Sequence, residues 1–218
     1  MNSVTLVNDD PILDRFVNLL VHEHECHTVI LYGSRALGLH SADSDYDLLG
    51  IRQNGEDTRD ARFVDGVFLD AFIRSEKSIE ARAHAFLHVR GGVPLLDPHG
   101  IGARLLSEIA LALESPPPEI PRAEIDARRT WCTKMLGRIR RATPDDVEAH
   151  YRRHWLLVEL LELYFVLRGR HYLGSKESFR WLFENDEAAW WAFAAALAPE
   201  ANIQDIDMLV GLVLEMPS

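Results

Sequence analysis

The chain has 218 residues, 47% of them hydrophobic, and its 23 basic against 34 acidic side chains leave a formal charge of −11. That length can bury one good core or two modest ones. The acidic balance argues against broad binding of nucleic-acid backbones, which relies on clustered Lys and Arg, and it suits a cationic small acceptor. Two cysteines far apart in sequence, Cys26 and Cys132, offer no disulfide framework and suit a reducing cytoplasm. The first ten residues lack the basic and apolar regions of a signal peptide, so a cytoplasmic location is expected. The longest apolar stretch, 156–167, contains Glu159 and Glu162 and is too short and too charged to span a bilayer.

In chain order, Asn8-Asp9-Asp10-Pro11 supplies caps and a first-turn proline for a helix carrying Ile12, Phe16, Leu19 and Leu20. Thr28-Val29-Ile30-Leu31-Tyr32 has the pattern of a buried strand, closed by Gly33-Ser34-Arg35 before a short helical segment. A strand through Asp45 to Ile51 follows. The apolar run Phe63-Val64-Asp65-Gly66-Val67-Phe68 is then broken by Asp-Gly, the strongest short-range hairpin signal, which places Asp70 on the returning strand. A helix is expected from 75 to the glycine pair Gly91-Gly92, a short strand at 94–97 and a helix over 101–113. Ser115-Pro116-Pro117-Pro118, with Pro121 soon after, cannot continue a helix and marks a domain boundary. Beyond it the periodicity predicts helices near 122–142, 145–168, 176–184, 186–198 and 203–215.

The chemistry concentrates between Gly33 and Asp70. Asp45 and Asp47 stand at i and i+2 in an apolar setting, so on a strand both carboxylates leave one face. Two such acids repel each other unless a divalent cation or strong donors lie between them, and hard oxygen ligands at this density suit Mg²⁺. Asp70 shares a strand face with Phe68 and Phe72, where a charge is costly unless compensated; a metal shared with Asp45 and Asp47 would compensate it. Gly33 lets backbone amides approach a phosphate closely, and the Ser34 hydroxyl adds a donor at a helix start that favours anions. Arg35 is placed either to touch phosphate or to pair with Asp43 or Asp45.

Gly33-Ser34, ten intervening residues and then Asp45-Tyr46-Asp47 resemble the signature of the DNA polymerase β-like nucleotidyltransferase superfamily, in particular its minimal and antibiotic-modifying members. The resemblance covers about residues 28 to 73. It implies that Gly33 and Ser34 hold a nucleoside triphosphate, that Asp45 and Asp47 bind Mg²⁺, and that Asp70 completes an acidic triad and in some members serves as general base. It further implies an α+β fold: a mixed-sheet nucleotidyltransferase domain with flanking helices over 1–115, then a helical bundle over 119–218 that covers nucleotide and acceptor. The implied reaction moves AMP from ATP onto a hydroxyl of a small molecule such as an aminoglycoside or lincosamide-like antibiotic. A protein acceptor, as in toxin–antitoxin systems, and a catalytically silent nucleotide-binding regulator are the alternatives.

In the helical half, Glu159 and Glu162 have no Lys or Arg at i±3 or i±4, so any partner comes from another element. One reading pairs them with Arg128, Arg138 or Arg140, or leaves them exposed. The other has them receive the ammonium groups or hydroxyl of an acceptor, as helical-domain glutamates do in some antibiotic-modifying relatives, with Glu159 competing with Asp70 as base. Lys176, opening a helix after Gly174-Ser175, is either a triphosphate contact or a solvated helix start. His22, His24, Cys26 and His27 have the composition of a metal cluster, but their spacing matches no helical zinc motif.

Overall fold

The computed structural model describes residues 10–80, 83–143 and 145–215 and divides into two units, Met1–Ser115 and Pro116–Ser218. In the first, helix α1 (Pro11–His24) starts where the Asp10 carboxylate accepts the Ile12 and Leu13 amides at 3.0 and 3.2 Å. Asn8 and Asp9, the other expected caps, lie outside the described residues. Strand β1 (Thr28–Tyr32) is buried throughout and leads into a single helical turn, α2 (Gly33–Ala36). There follow β2 (Tyr46–Arg52), β3 (Thr58–Val64), β4 (Val67–Ser75), α3 (Glu76–Ile79), a 3₁₀ segment (Ala83–Val89), β5 (Val93–Leu96) and α4 (Ile101–Glu114).

The five strands form one mixed sheet in the order β3-β4-β2-β1-β5. All pairs are antiparallel except β2 with β4. Asp65 and Gly66 turn β3 into β4 with φ of 52° and 83°, the left-handed pair that a two-residue hairpin of this twist requires. Strand alternation then sorts the apolar side chains onto two faces. Val29, Leu31, Leu48, Leu69, Ala71 and Ile73 pack on Leu13, Phe16 and Leu20 of α1. Ile30, Tyr32, Leu49 and Ile51 pack on Phe86 and Val89 of the 3₁₀ segment and on Ile101, Leu105 and Ile109 of α4. The Tyr46 hydroxyl donates to Asp10 at 2.6 Å, tying the cap of α1 to the first residue of β2.

Most boundaries shift by one or two residues, and two differences have a visible cause. The helix expected over 75–91 is, among the described residues, one turn and a 3₁₀ segment, with Ala81 and Arg82 outside them: the Ser75 hydroxyl caps the turn, but Glu80 takes an extended backbone at φ −58°, ψ 130° and ends it. Strand β2 begins at Tyr46 rather than Asp45, because the Ser44 and Asp45 carbonyls accept hydrogen bonds from Arg35 instead of a neighbouring strand.

The second unit is helical: α5 (Arg122–Arg140), α6 (Val147–Leu167), α7 (Ser175–Asn185), α8 (Glu187–Leu197) and α9 (Ile203–Leu214). Its core gathers Leu156, Leu160, Leu163 and Tyr164 of α6 with Cys132, Phe193 and Leu209. The protein is therefore α+β, a mixed-sheet unit followed by a helical one. Among the described residues no helix is long and apolar enough to cross a membrane. Arg128 of α5 supplies the partner that Glu159 and Glu162 lack on their own helix, donating from Nε to Glu159 at 2.6 Å and from Nη2 to Glu162 at 3.0 Å.

Replacing Arg128 with Ala strands Glu159, whose side chain is only 24% exposed, beside Glu162. The expected cost is about 1–2 kcal/mol after screening by water, recovered in part by R128A/E159Q/E162Q. All five tryptophans, Trp131, Trp155, Trp181, Trp190 and Trp191, lie in the helical unit, so urea unfolding followed by tryptophan fluorescence reads this term. A second measurement addresses Tyr46, whose phenol is pushed from 10.0 up to about 12, first by burial and then by its hydrogen bond to the Asp10 carboxylate. The native state holds this proton when the unfolded chain has lost it, so stability falls as pH rises through that window. Y46F should flatten the fall, as measured by urea unfolding followed by circular dichroism from neutral to alkaline pH.

Candidate active site

The end of β1, the start of β2 and the middle of β4 meet in one cross-strand row: Tyr32 pairs with Asp47, and Asp47 with Asp70. By alternation this row lies on the sheet face covered by α4, beyond Ile30, Leu49 and Ile51. Two carboxylates thus stand side by side on neighbouring parallel strands, half-buried, with the Asp70 side chain 16% exposed. Gly33 follows Tyr32 at φ +70°, and a Cβ there would lie 3.0 Å from the Asp47 Cγ and nearer still to its Oδ2. Both the backbone conformation and the space thus call for glycine, and the turn's main chain is in direct contact with the carboxylate.

Asp70 is held by a residue that the sequence reading passed over. Arg59 of β3 donates from Nε to Oδ1 and from Nη2 to Oδ2, each at 2.7 Å. Its guanidinium also lies 4.9 Å from the centre of the Phe72 ring, on which Arg74 stands at 5.1 Å. The Asp70 hydrogen bonds and then its charge keep Arg59 more firmly protonated than usual. The hairpin register carried the signal: counting outward from Asp65-Gly66 pairs Arg59 with Phe72 and Ala61 with Asp70, one diagonal step from Arg59. Tyr32 was likewise passed over. Burial first, and then the charges of Asp47 and Asp70, raise its phenol well above the ordinary range, so it stays a neutral donor beside them. Its ring meets His88 edge-on at 5.5 Å.

Asp45 stands apart from this row, exposed and just ahead of β2. Arg35 fixes its main chain, donating from Nε to the Ser44 and Asp45 carbonyls at 3.1 and 3.2 Å and from Nη2 to Ser44 at 2.7 Å, while its guanidinium lies 3.7 Å from the Tyr46 ring centre. Arg35 is thus a clamp on the loop, and its described bonds go to carbonyls rather than to the Asp43 or Asp45 carboxylates. Asp45 borders an open depression of about 470 Å³ together with Ser44, Phe63 and Phe68. Among the described residues no hydrogen bond engages the Ser34 hydroxyl.

Among the described residues, one group of three His, Cys, Asp or Glu side chains brings ligand atoms within 4.8 Å of one another: Glu23, His24 and Asp60. Asp45, Asp47 and Asp70 are not drawn together to that spacing. In the group that is, a guanidinium already supplies the positive charge: Arg62 Nη2 lies 2.7 Å from Glu23 and 3.1 Å from Asp60, and His24 Nε2 lies 2.8 Å from Asp60. This network fastens the last turn of α1 to β3. In the helical unit, Lys176 is exposed in the first turn of α7, and Glu159 and Glu162 are occupied by Arg128.

No protein-family model matches the chain, and no curated protein does. Among solved structures it is similar to a nucleotidyltransferase-like protein from Exiguobacterium sibiricum 255-15, at 13% identity over 92% of this chain and 73% of that one, with a TM-score of 0.46. That is a coarse likeness in overall fold and carries no information about chemistry.

Proposed function

We propose that the chain is a Mg²⁺-dependent nucleotidyltransferase that moves AMP from ATP onto a hydroxyl of a small acceptor of the aminoglycoside or lincosamide kind. The observation that supports this most is the contact of the Gly33 turn with Asp47, with Asp70 in register on the next parallel strand. A glycine turn whose main chain lies against a carboxylate pair is the arrangement that a nucleotide and a divalent cation need together.

The donor set fits Mg²⁺ in kind, since Asp47 and Asp70 on the sheet and Asp45 on the loop just ahead of β2 offer only hard carboxylate oxygens. These three would hold the ion, which when bound neutralises phosphate charge as the phosphorus is attacked. The protein's own groups do the rest. The amides of the Gly33 turn and the Ser34 hydroxyl bind the phosphates. Arg35 fixes the Asp45 loop, and Tyr32 stays neutral beside Asp47. Asp70 accepts the proton of the acceptor hydroxyl; the new O–P bond forms at the α-phosphorus as the α–β bridging bond breaks, and pyrophosphate carries off the electron pair. The net charge of −11 favours an acceptor that carries amines.

Asp45→Asn and Asp47→Asn should each lower turnover by about 100-fold or more while leaving thermal unfolding within a few degrees of wild type. Transfer of label from α-labelled ATP to a panel of aminoglycosides, lincosamides and purified proteins reads the outcome. Transfer to a protein alone would select the protein-acceptor reading, and nucleotide binding without transfer would select the silent regulator. Wild-type activity in either Asn variant refutes the assignment. Gly33→Ala separates fold from site: the left-handed backbone costs about 1 kcal/mol of stability, but the new methyl displaces the Asp47 carboxylate, so activity should fall nearly as far as in Asp47→Asn.

A further inference from the structure

We propose that Arg59 is a built-in counter-ion of the acidic site, occupying Asp70 until a divalent cation displaces it, so that metal binding and release of the guanidinium are one event. The inference rests on the nucleotidyl-transfer reading and adds a residue to it. Both Asp70 oxygens accept from Arg59 at 2.7 Å, so neither is fully available to a cation while the fork is closed. Asp47 is the in-register neighbour of Asp70 on the next strand. The arginine is built to leave. It sits on β3, the edge strand of the sheet, with its side chain 53% exposed against 16% for Asp70, and its flat face has a second hold on the Phe72 ring at 4.9 Å. Arg74, on the same ring at 5.1 Å, is the natural control: it carries the same charge nearby, but pairs with Asp57.

The competition predicts opposite effects of one substitution on two readouts. Arg59→Ala should unfold at a lower temperature than wild type in metal-free buffer, because two neighbouring carboxylates lose their cation, and should bind Mn²⁺ about fivefold more tightly, as read by electron paramagnetic resonance without nucleotide. Arg59→Lys, which keeps the charge and loses the fork, should fall between the two. Arg74→Ala should change Mn²⁺ affinity less than about twofold, since Arg74 pairs with Asp57 and occupies neither oxygen of Asp70. Asp47→Asn, measured in parallel, tests the site itself. If Arg59→Ala binds Mn²⁺ no more tightly than wild type, or Arg74→Ala tightens it as much, while Asp47→Asn loses the ion, the counter-ion role is overturned and the metal site stands. If Asp47→Asn binds Mn²⁺ as wild type does, both readings fall.

Discussion

Everything in the site depends on how closely the main chain after β1 approaches the first carboxylate of β2. Antiparallel pairing puts Tyr32 opposite Asp47, and the chain must then leave the sheet at once, which it does through a left-handed glycine whose Cα faces the Asp47 side chain. A larger residue would push the acid off the row, and a later turn would carry the amides past it. The parallel pairing of β2 with β4 brings Asp70 to the same level. That pairing in turn needs the β3–β4 hairpin on the far side, so a two-residue turn at Asp65-Gly66 sets the position of an acid four residues downstream.

In so acidic a chain, arginines do the local neutralising, each in a different way. Arg35 turns its fork on two carbonyls and its flat face on Tyr46, ordering the loop that carries Asp45. Arg59 closes on Asp70, Arg62 lies between Glu23 and Asp60, and Arg128 spans Glu159 and Glu162. A bidentate or bridging guanidinium restrains two oxygens at once, which a lysine does not. The helical-unit glutamates owe their partly buried position to this bridge, which accounts for them without an acceptor.

What was legible in the sequence follows from which signals are local. The Asp10 cap and proline of α1, the Asp-Gly hairpin and the five helices after the proline run are each written in a few adjacent residues, and they match the observed elements to within a few positions. The sheet order is not written that way, because nothing in one strand specifies whether its neighbour arrives from before or after it. The same limit hid Arg59: its partner lies across a hairpin, and an exposed arginine on a polar edge strand looks like solvated surface until the register is counted. The short 3₁₀ path over 83–89 was hidden for a different reason, since its apolar spacing suits a helix and, among the described residues, the backbone at Glu80 and Phe86 departs from it.

The separation of the three acids follows from the same electrostatics that makes them a candidate site. Two like charges 4 Å apart repel by several kcal/mol at the effective dielectric of a protein surface, so a chain carrying such acids keeps them apart or gives them a cationic partner. The fold does so with unequal freedom. Asp47 is held against Gly33, whereas Asp45 is carried on a clamped but exposed loop and Asp70 is tied to an edge-strand arginine. One restrained acid and two tied to other partners avoid the larger cost of holding three uncompensated carboxylates together.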